Sequence, residues 1–373
     1  MNKKTMKKYL FILLIVLFAL TLGACTGRRV TTTGWSGITI KEDIVYFSFG
    51  PQVYALDLNS GFQKWAYPEE EESGLDFYAA PVFADEGNQL ILASYNSTIY
   101  SVDPDTGQKK WAFVVPKPKN VTEKSRFIAS PLVTNQAIFA PSSDNKLYAI
   151  DFAGVPLWTF ETGDPIWASP TWSEGCHCIY IASMDHFLYA VDPESGSLLW
   201  KSEDLGGPVV SQPTVSNNGL ILVSTFANEV IALDEKSHQV EWRYNTSDWA
   251  WASPVIDGEQ VYVSDLSGTF YALDLNSGDP LWQIQPGGSI VSSVLVQDDL
   301  IYIGTHIEKN TSSLVVVSRD GVIQRNQPIN GKLYTSPASD GDTILIAPAE
   351  AEFTLIALNQ SGVQIWGFPP SDK

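Results

Sequence analysis

Leu188-Tyr189-Ala190-Val191-Asp192 runs on through Ser195 and Gly196 to Trp200, and the same phrase returns along the whole chain. Leu147-Tyr148-Ala149-Ile150-Asp151 leads to Gly154 and Trp158, and Phe270-Tyr271-Ala272-Leu273-Asp274 leads to Gly278 and Trp282. Eight copies follow one another at a spacing of about 40 to 47 residues, the signature of an array of one supersecondary unit. The repeat therefore overrides the two or three domains that 373 residues would otherwise suggest. One array occupies residues 34–368.

The copies differ in instructive ways. The first has Val53-Tyr54-Ala55-Leu56-Asp57, Gly61 and Trp65, and the second Ile99-Tyr100-Ser101-Val102-Asp103, Gly107 and Trp111. The fifth has Val230-Ile231-Ala232-Leu233-Asp234, His238 in the glycine position, and Trp242. The seventh departs furthest, with Leu314-Val315-Val316-Val317-Ser318, Gly321, and Arg325 where tryptophan should stand. The eighth has Leu355-Ile356-Ala357-Leu358-Asn359, Gly362 and Trp366. Short β-branched and aromatic runs alternate with Asp-x-x-x-Gly turns, so each unit reads as about four antiparallel strands joined by hairpins. Such a sheet has two apolar faces and cannot bury both alone. Radial stacking buries them against neighbours and leaves short edges. The expected fold is all-β: an eight-bladed β-propeller of four-stranded antiparallel blades. Within it the aspartate accepts backbone N–H groups at the turn. The tryptophans (Trp65, Trp111, Trp158, Trp200, Trp242, Trp282 and Trp366) fill the gaps between blades. The first unit is complete from Gly37, and whether the ring closes with or without a strand from the C-terminus stays open.

The N-terminus is built differently. Lys3, Lys4, Lys7 and Lys8 precede an apolar run over residues 9–20, and Leu22-Gly23-Ala24-Cys25 follows. The run is short for a membrane span and ends in small residues, which reads as an export signal. A cysteine directly after Leu-Gly-Ala resembles the lipobox of bacterial lipoproteins, which implies cleavage before Cys25 and diacylation of its thiol. Residues 1–24 are then a signal peptide, 25–33 a tether and 34–373 the propeller. The formal net charge is −19, and losing the leader would remove four lysines and no carboxylate. So acidic a surface repels phosphate backbones and anionic headgroups. Nucleic acid is not an expected partner, the membrane is held by the acyl chain, and basic surfaces or cations are attracted. Cys176-His177-Cys178 offers three soft ligands with no second cluster to complete a zinc site. A disulfide across one residue is open to it in an oxidising compartment, and the triplet reads as a loop feature without catalytic role.

The pattern Ala-x-Asp-x-x-Ser/Thr-Gly-x-x-x-Trp, at residues 190–200 and 272–282, resembles the tryptophan-docking motif of the pyrroloquinoline-quinone (PQQ) repeat. That resemblance covers the whole mature chain and implies the eight-bladed propeller of quinoprotein alcohol dehydrogenases. Active enzymes of that kind hold calcium on Glu and Asn side chains, use an aspartate base, and often carry adjacent cysteines and long inter-blade insertions. Here the repeats are lean, Cys176 and Cys178 are separated, and His177, His186, His238 and His306 are scattered over several blades. The expectation is therefore no catalytic residue, no cofactor and no metal. A lipobox with eight lean blades resembles the BamB-like lipoproteins of outer-membrane assembly. This resemblance implies a non-enzymatic, lipid-anchored extracytoplasmic scaffold, monomeric, binding other envelope proteins such as a β-barrel assembly machinery. It would sit at the periplasmic face of an outer membrane, or on the outer face of the cytoplasmic membrane where there is only one. The alternatives are a PQQ-dependent oxidoreductase and a surface propeller that binds carbohydrate or peptide.

One set of residues could form a partner site. Aromatic residues recur three positions before the proline that opens each repeat: Tyr78, Trp167, Trp251 and Tyr334, with Phe127 and Trp249 close by. Asp76, Asp164 and Asp248 stand beside them. If the first strands are innermost, these groups gather around one mouth of the axial channel, where aromatic faces and carboxylates could grip a peptide, a sugar or a cation. Packing at the blade tips is the plainer reading. Glu69-Glu70-Glu71-Glu72 reads as a solvated loop. In the seventh unit, the lengthened hairpin at Glu308-Lys309-Asn310-Thr311 marks either an interface or drift.

Overall fold

The strands of this chain are apolar on both faces, and that dictates how they are buried. In the fifth repeat Leu220, Leu222, Val230 and Ala232 pack toward one neighbour, while Ile221, Val223, Ile231 and Leu233 pack toward the other. Side chains alternate along a strand, so one sheet feeds two separate cores. The computed structural model describes residues 37–116, 125–308 and 311–369. The expected leader, Cys25 and tether, with Lys309 and Asn310, lie outside them. Among the described residues there are eight four-stranded antiparallel sheets, each built from one contiguous stretch of chain. Lys332–Leu333 additionally pairs with Pro348–Ala349. The only helical element among the described residues is a single 3-10 turn, Asp85–Gly87.

Eight apolar clusters lie at the eight seams between successive sheets. The cluster that joins the last sheet to the first contains Val45, Phe47 and Leu56 with Leu345, Leu355 and Trp366. The described residues from Gly37 onward thus form a closed eight-bladed β-propeller. First strands of neighbouring blades touch: Gly37–Lys41 meets Ala338–Ser339, and Thr171–Ser173 meets Thr214–Val215. Thr39 Oγ1 donates to Pro81 O at 2.6 Å and Thr171 Oγ1 to Pro213 O at 2.6 Å, tying these inner strands into a ring. Fourth strands are outermost. The first and last blades close by packing, without exchanging a strand, and Trp366 Nε1 donates to Leu58 O at 2.8 Å.

The repeated phrase builds that seam. Asp192 Oδ1 accepts from Ser195 N and Oγ, both at 2.7 Å, and Gly196 takes φ +70° to close the turn. Trp158 of the preceding blade lies on this glycine so closely that a Cβ there would stand 2.6 Å from the ring. Its Nε1 donates to Pro193 O at 3.1 Å. The same contact joins Trp65 to Gly107, Trp111 to Gly154, Trp242 to Gly278, Trp282 to Gly321 and Trp366 to Gly61. Within its own sheet the tryptophan stands opposite the motif alanine, as in Ala149↔Trp158 and Ala272↔Trp282, with a register shift just after it. The small residue makes room for a neighbour on its own sheet.

Candidate functional site

Antiparallel strands divide the loops between two axial faces. One face carries the segments approaching each first strand and the turns between second and third strands; the other carries the Asp–Gly turns. The approach face holds most of the chain's unusual chemistry.

Here the tyrosine of the repeated phrase has a second use. Tyr148 Oη donates to Asp144 Oδ2 at 2.6 Å, Tyr189 Oη to Asp185 Oδ2 at 2.5 Å, and Tyr271 Oη to Asp265 Oδ2 at 2.8 Å. Burial, then the carboxylate hydrogen bond, pushes the phenols of Tyr148 and Tyr189 well above the ordinary range. Two of these carboxylates also cap backbone amides of the approach segments, and Asp144 Oδ2 accepts from Ser125 Oγ at 2.7 Å. Asp185 Oδ2 accepts from Gly163 N, and Asp265 Oδ2 from Ser247 N at 3.0 Å and Asp248 N at 3.2 Å. The sequence reading missed this hub, although an Asp or Asn four residues before the tyrosine recurs at Asn96, Asp144 and Asp185.

Tyr78, Trp167, Trp251 and Tyr334 fall on alternate blades, and each is partly buried. Their ring contacts include Tyr78 with Tyr95 at 5.1 Å, Trp251 with Phe226 at 5.0 Å and Tyr334 with His306 at 5.5 Å. Trp167 Nε1 is buried without a hydrogen-bond partner among the described residues. Asp164 and Asp248 occupy equivalent positions: Thr162 Oγ1 donates to Asp164 O and Thr246 Oγ1 to Asp248 O, each at 2.7 Å. Burial raises the Asp76 carboxyl above its ordinary value. Beside Tyr334, burial lowers His306 and a hydrogen bond to Glu350 raises Lys332.

The most exposed ring on this face is one the sequence placed only nearby. Trp249 is 46% exposed. One side lies flat on Phe226, centroids 4.8 Å apart and planes 14° apart, leaving the other to solvent. Its backbone is held by Leu266 N donating to Trp249 O at 3.0 Å, by Asp248 Oδ1 accepting from Trp249 N at 2.8 Å, and by the buried Asp265. An exposed aromatic on so fixed a loop has little conformational freedom left to lose. Cations near this face are already engaged: Arg243 with Glu203 and Glu229, Lys332 with Glu350, Lys201 over the Phe187 ring. Among the described residues no ion pair neutralises Asp76, Asp164 or Asp248. The face is acidic and aromatic together.

The family described as outer membrane protein assembly factor BamB matches residues 53–174 and 184–367, which is most of the propeller. The chain belongs to this family. The BamB of Moranella endobia (strain PCIT) is 24% identical over 283 residues, covering 58% of this chain and 71% of that protein. A tetrathionate hydrolase from Acidithiobacillus ferrooxidans is 24% identical over 156 residues, covering 35% of this chain and only 31% of the hydrolase. The crystal structure of BamB from Moraxella catarrhalis superposes with a TM-score of 0.69 at 14% identity, covering 86% of this chain and 94% of that one. At that identity the likeness concerns the fold. Relatives bearing both an assembly name and an enzyme name show that this propeller carries unrelated functions, so chemistry must be argued from the site.

Proposed function

We propose that the chain is a lipid-anchored, non-enzymatic scaffold of the cell envelope, tethered through Cys25, whose approach face docks a partner protein rich in basic side chains. The observation that carries this reading is Trp249, held rigid with one free face beside carboxylates that have no cationic partner. An Arg or Lys side chain over that face gains a cation–π contact, and the acidic surroundings steer it there. Tyr78, Trp167, Trp251 and Tyr334, with Asp164 and Asp248, extend the surface to alternate blades. Membership of the family described as outer membrane protein assembly factor BamB supports a scaffold role in the envelope.

The test is affinity capture from the chain's own envelope extract, with Trp249→Ala/Asp248→Asn set against Phe62→Ser on the opposite face. Phe62 is 77% exposed and serves as the control. The expected result is a partner lost in the first variant, retained in the second, and released by salt as screening shortens the electrostatic reach. Equal capture by all three proteins overturns the docking face. Saturable binding of PQQ with Ca²⁺, followed by alcohol-dependent dye reduction, overturns the non-enzymatic reading.

A further inference from the structure

Cys176 and Cys178 are joined by a disulfide in the turn between the first two strands of the fourth blade. Nothing in the fold requires it. The fifth blade makes a turn of the same length, from Thr214–Val215 to Leu220–Thr225, closed by Ser216 Oγ accepting from Leu220 N at 2.8 Å. The fourth-blade turn has its own latch as well. The buried Glu235 carboxylate reaches across from the fifth blade, accepts from Ser173 Oγ and Tyr180 Oη, and lies so close to Gly175 that a Cβ would collide with it. A cross-link spanning one residue also removes little chain entropy from the unfolded state. Its value is therefore sought in its chemistry.

The two sulfurs are not equivalent. Cys178 is fully buried in the seam between the fourth and fifth blades, whereas Cys176 is partly exposed. Between them stands His177, exposed, with Nδ1 2.6 Å from Glu174 O. A carbonyl can only accept, so Nδ1 carries the proton and Nε2 keeps its lone pair in the neutral ring. An accessible sulfur and a neighbouring base are what attack by a thiolate on a disulfide uses, and the difference in exposure directs that attack to Cys176.

We propose that Cys176–Cys178 is an exchange site for thiol-bearing polypeptides, a function independent of the docking face. A client thiol loses its proton, with His177 as the nearby acceptor, and its thiolate attacks Sγ of Cys176. A client–Cys176 disulfide forms, the Cys176–Cys178 bond breaks, and the electron pair leaves on Cys178 Sγ, which takes up a proton. A second client thiolate attacks the client sulfur and releases Cys176, which is protonated in turn. Two electrons pass from a client dithiol to the chain: the client ends as a disulfide and the chain as a dithiol. The fourth-blade turn survives reduction because Glu235 still holds it.

The experiment uses the full chain with glutathione as probe and intact-mass detection after acid quench. Cys178→Ser, which frees Cys176, is expected to take up glutathione from oxidised glutathione at least about tenfold faster than Cys176→Ser, which frees the buried sulfur. The double variant gives the background, and unchanged circular dichroism shows that the fold persists. His177→Asn is expected to slow the reaction of Cys178→Ser while leaving its circular dichroism unchanged. Equal rates in the two single variants overturn the proposal. So does a native disulfide that stays intact in reduced glutathione while a linear peptide with the same Cys-His-Cys segment is reduced.

Discussion

The seam between the third and fourth blades and the seam between the seventh and eighth perform one task with different side chains. At the first, Trp158 covers Gly196 and donates to Pro193 O. At the second, Arg325 covers Gly362, its Cζ 3.0 Å from where a Cβ would be, and Nη1 donates to Gln360 O at 3.0 Å. Arg325 even keeps the register, pairing with Val316 as the tryptophans pair with alanine. The seam between the fourth and fifth blades makes the opposite exchange. Trp200 is kept, the glycine becomes His238 at φ +60°, and the two rings stack 4.6 Å apart and 17° from parallel. What a seam needs is a flat group that covers the next turn; a donor to that turn's carbonyl completes most of them. The residue type is one solution among several.

Breaking the regular contact should have the largest effect. Trp366→Ala removes a buried ring and the hydrogen bond to Leu58 O that closes the circle. A loss of about 3–5 kcal/mol is expected, read from urea unfolding, against a clearly smaller loss for Arg325→Ala, whose side chain buries less apolar surface. Equal losses would mean that arginine seals its seam as well as tryptophan does. Exchanging the turn residue sharpens the comparison. Gly278→His puts a side chain where a Cβ would lie 2.5 Å from Trp242 and should cost about 1–3 kcal/mol. His238→Gly relieves the positive φ but loses the stack on Trp200, so its net change should lie within about 1 kcal/mol of zero.

The smallest effect separates the blades by pH. Hydrogen bonds from Ser195, the backbone N–H first, hold Asp192 below its ordinary value of 3.8; Ser237 and Ser277 act likewise on Asp234 and Asp274. A carboxylate whose folded value is depressed stabilises the fold above the unfolded value, and that contribution is lost as pH falls through the folded one. The seventh and eighth blades have Ser318 and Asn359 at this position, and neither titrates. Amide protection should therefore decline below pH 3.8 around Gly196 and Gly278 before it declines around Gly321 and Gly362, as hydrogen exchange would show. Simultaneous loss would mean that the turns unfold only with the whole ring.

The repeated phrase was enough to read the eight blades and their four antiparallel strands, because the phrase recurs at a fixed spacing and such sheets have two faces to bury; that each tryptophan lies on the turn glycine of the next blade came only from the structure. The role of Arg325 was not legible. A break in a motif looks like loss until the partner glycine is seen beneath the guanidinium. Tyr78, Trp167, Trp251 and Tyr334 could be picked out by register, but Trp249 could not be ranked above them. Its exposure depends on Phe226 from the blade before and on the buried Asp265 from its own blade.

What the chain determines by itself is therefore everything that repeats: an all-β ring of eight lean blades, with a tryptophan between blades in all repeats but the seventh. What only the tertiary structure decides is where the exceptions meet. It shows which tryptophan keeps a free face, which cysteine sulfur is reachable, and which glutamate crosses from one blade to latch the turn of another. Ser173 and Glu235 are 62 residues apart yet share a hydrogen bond. Such contacts join residues on neighbouring blades that no local spacing relates, so they exist only once those blades have stacked.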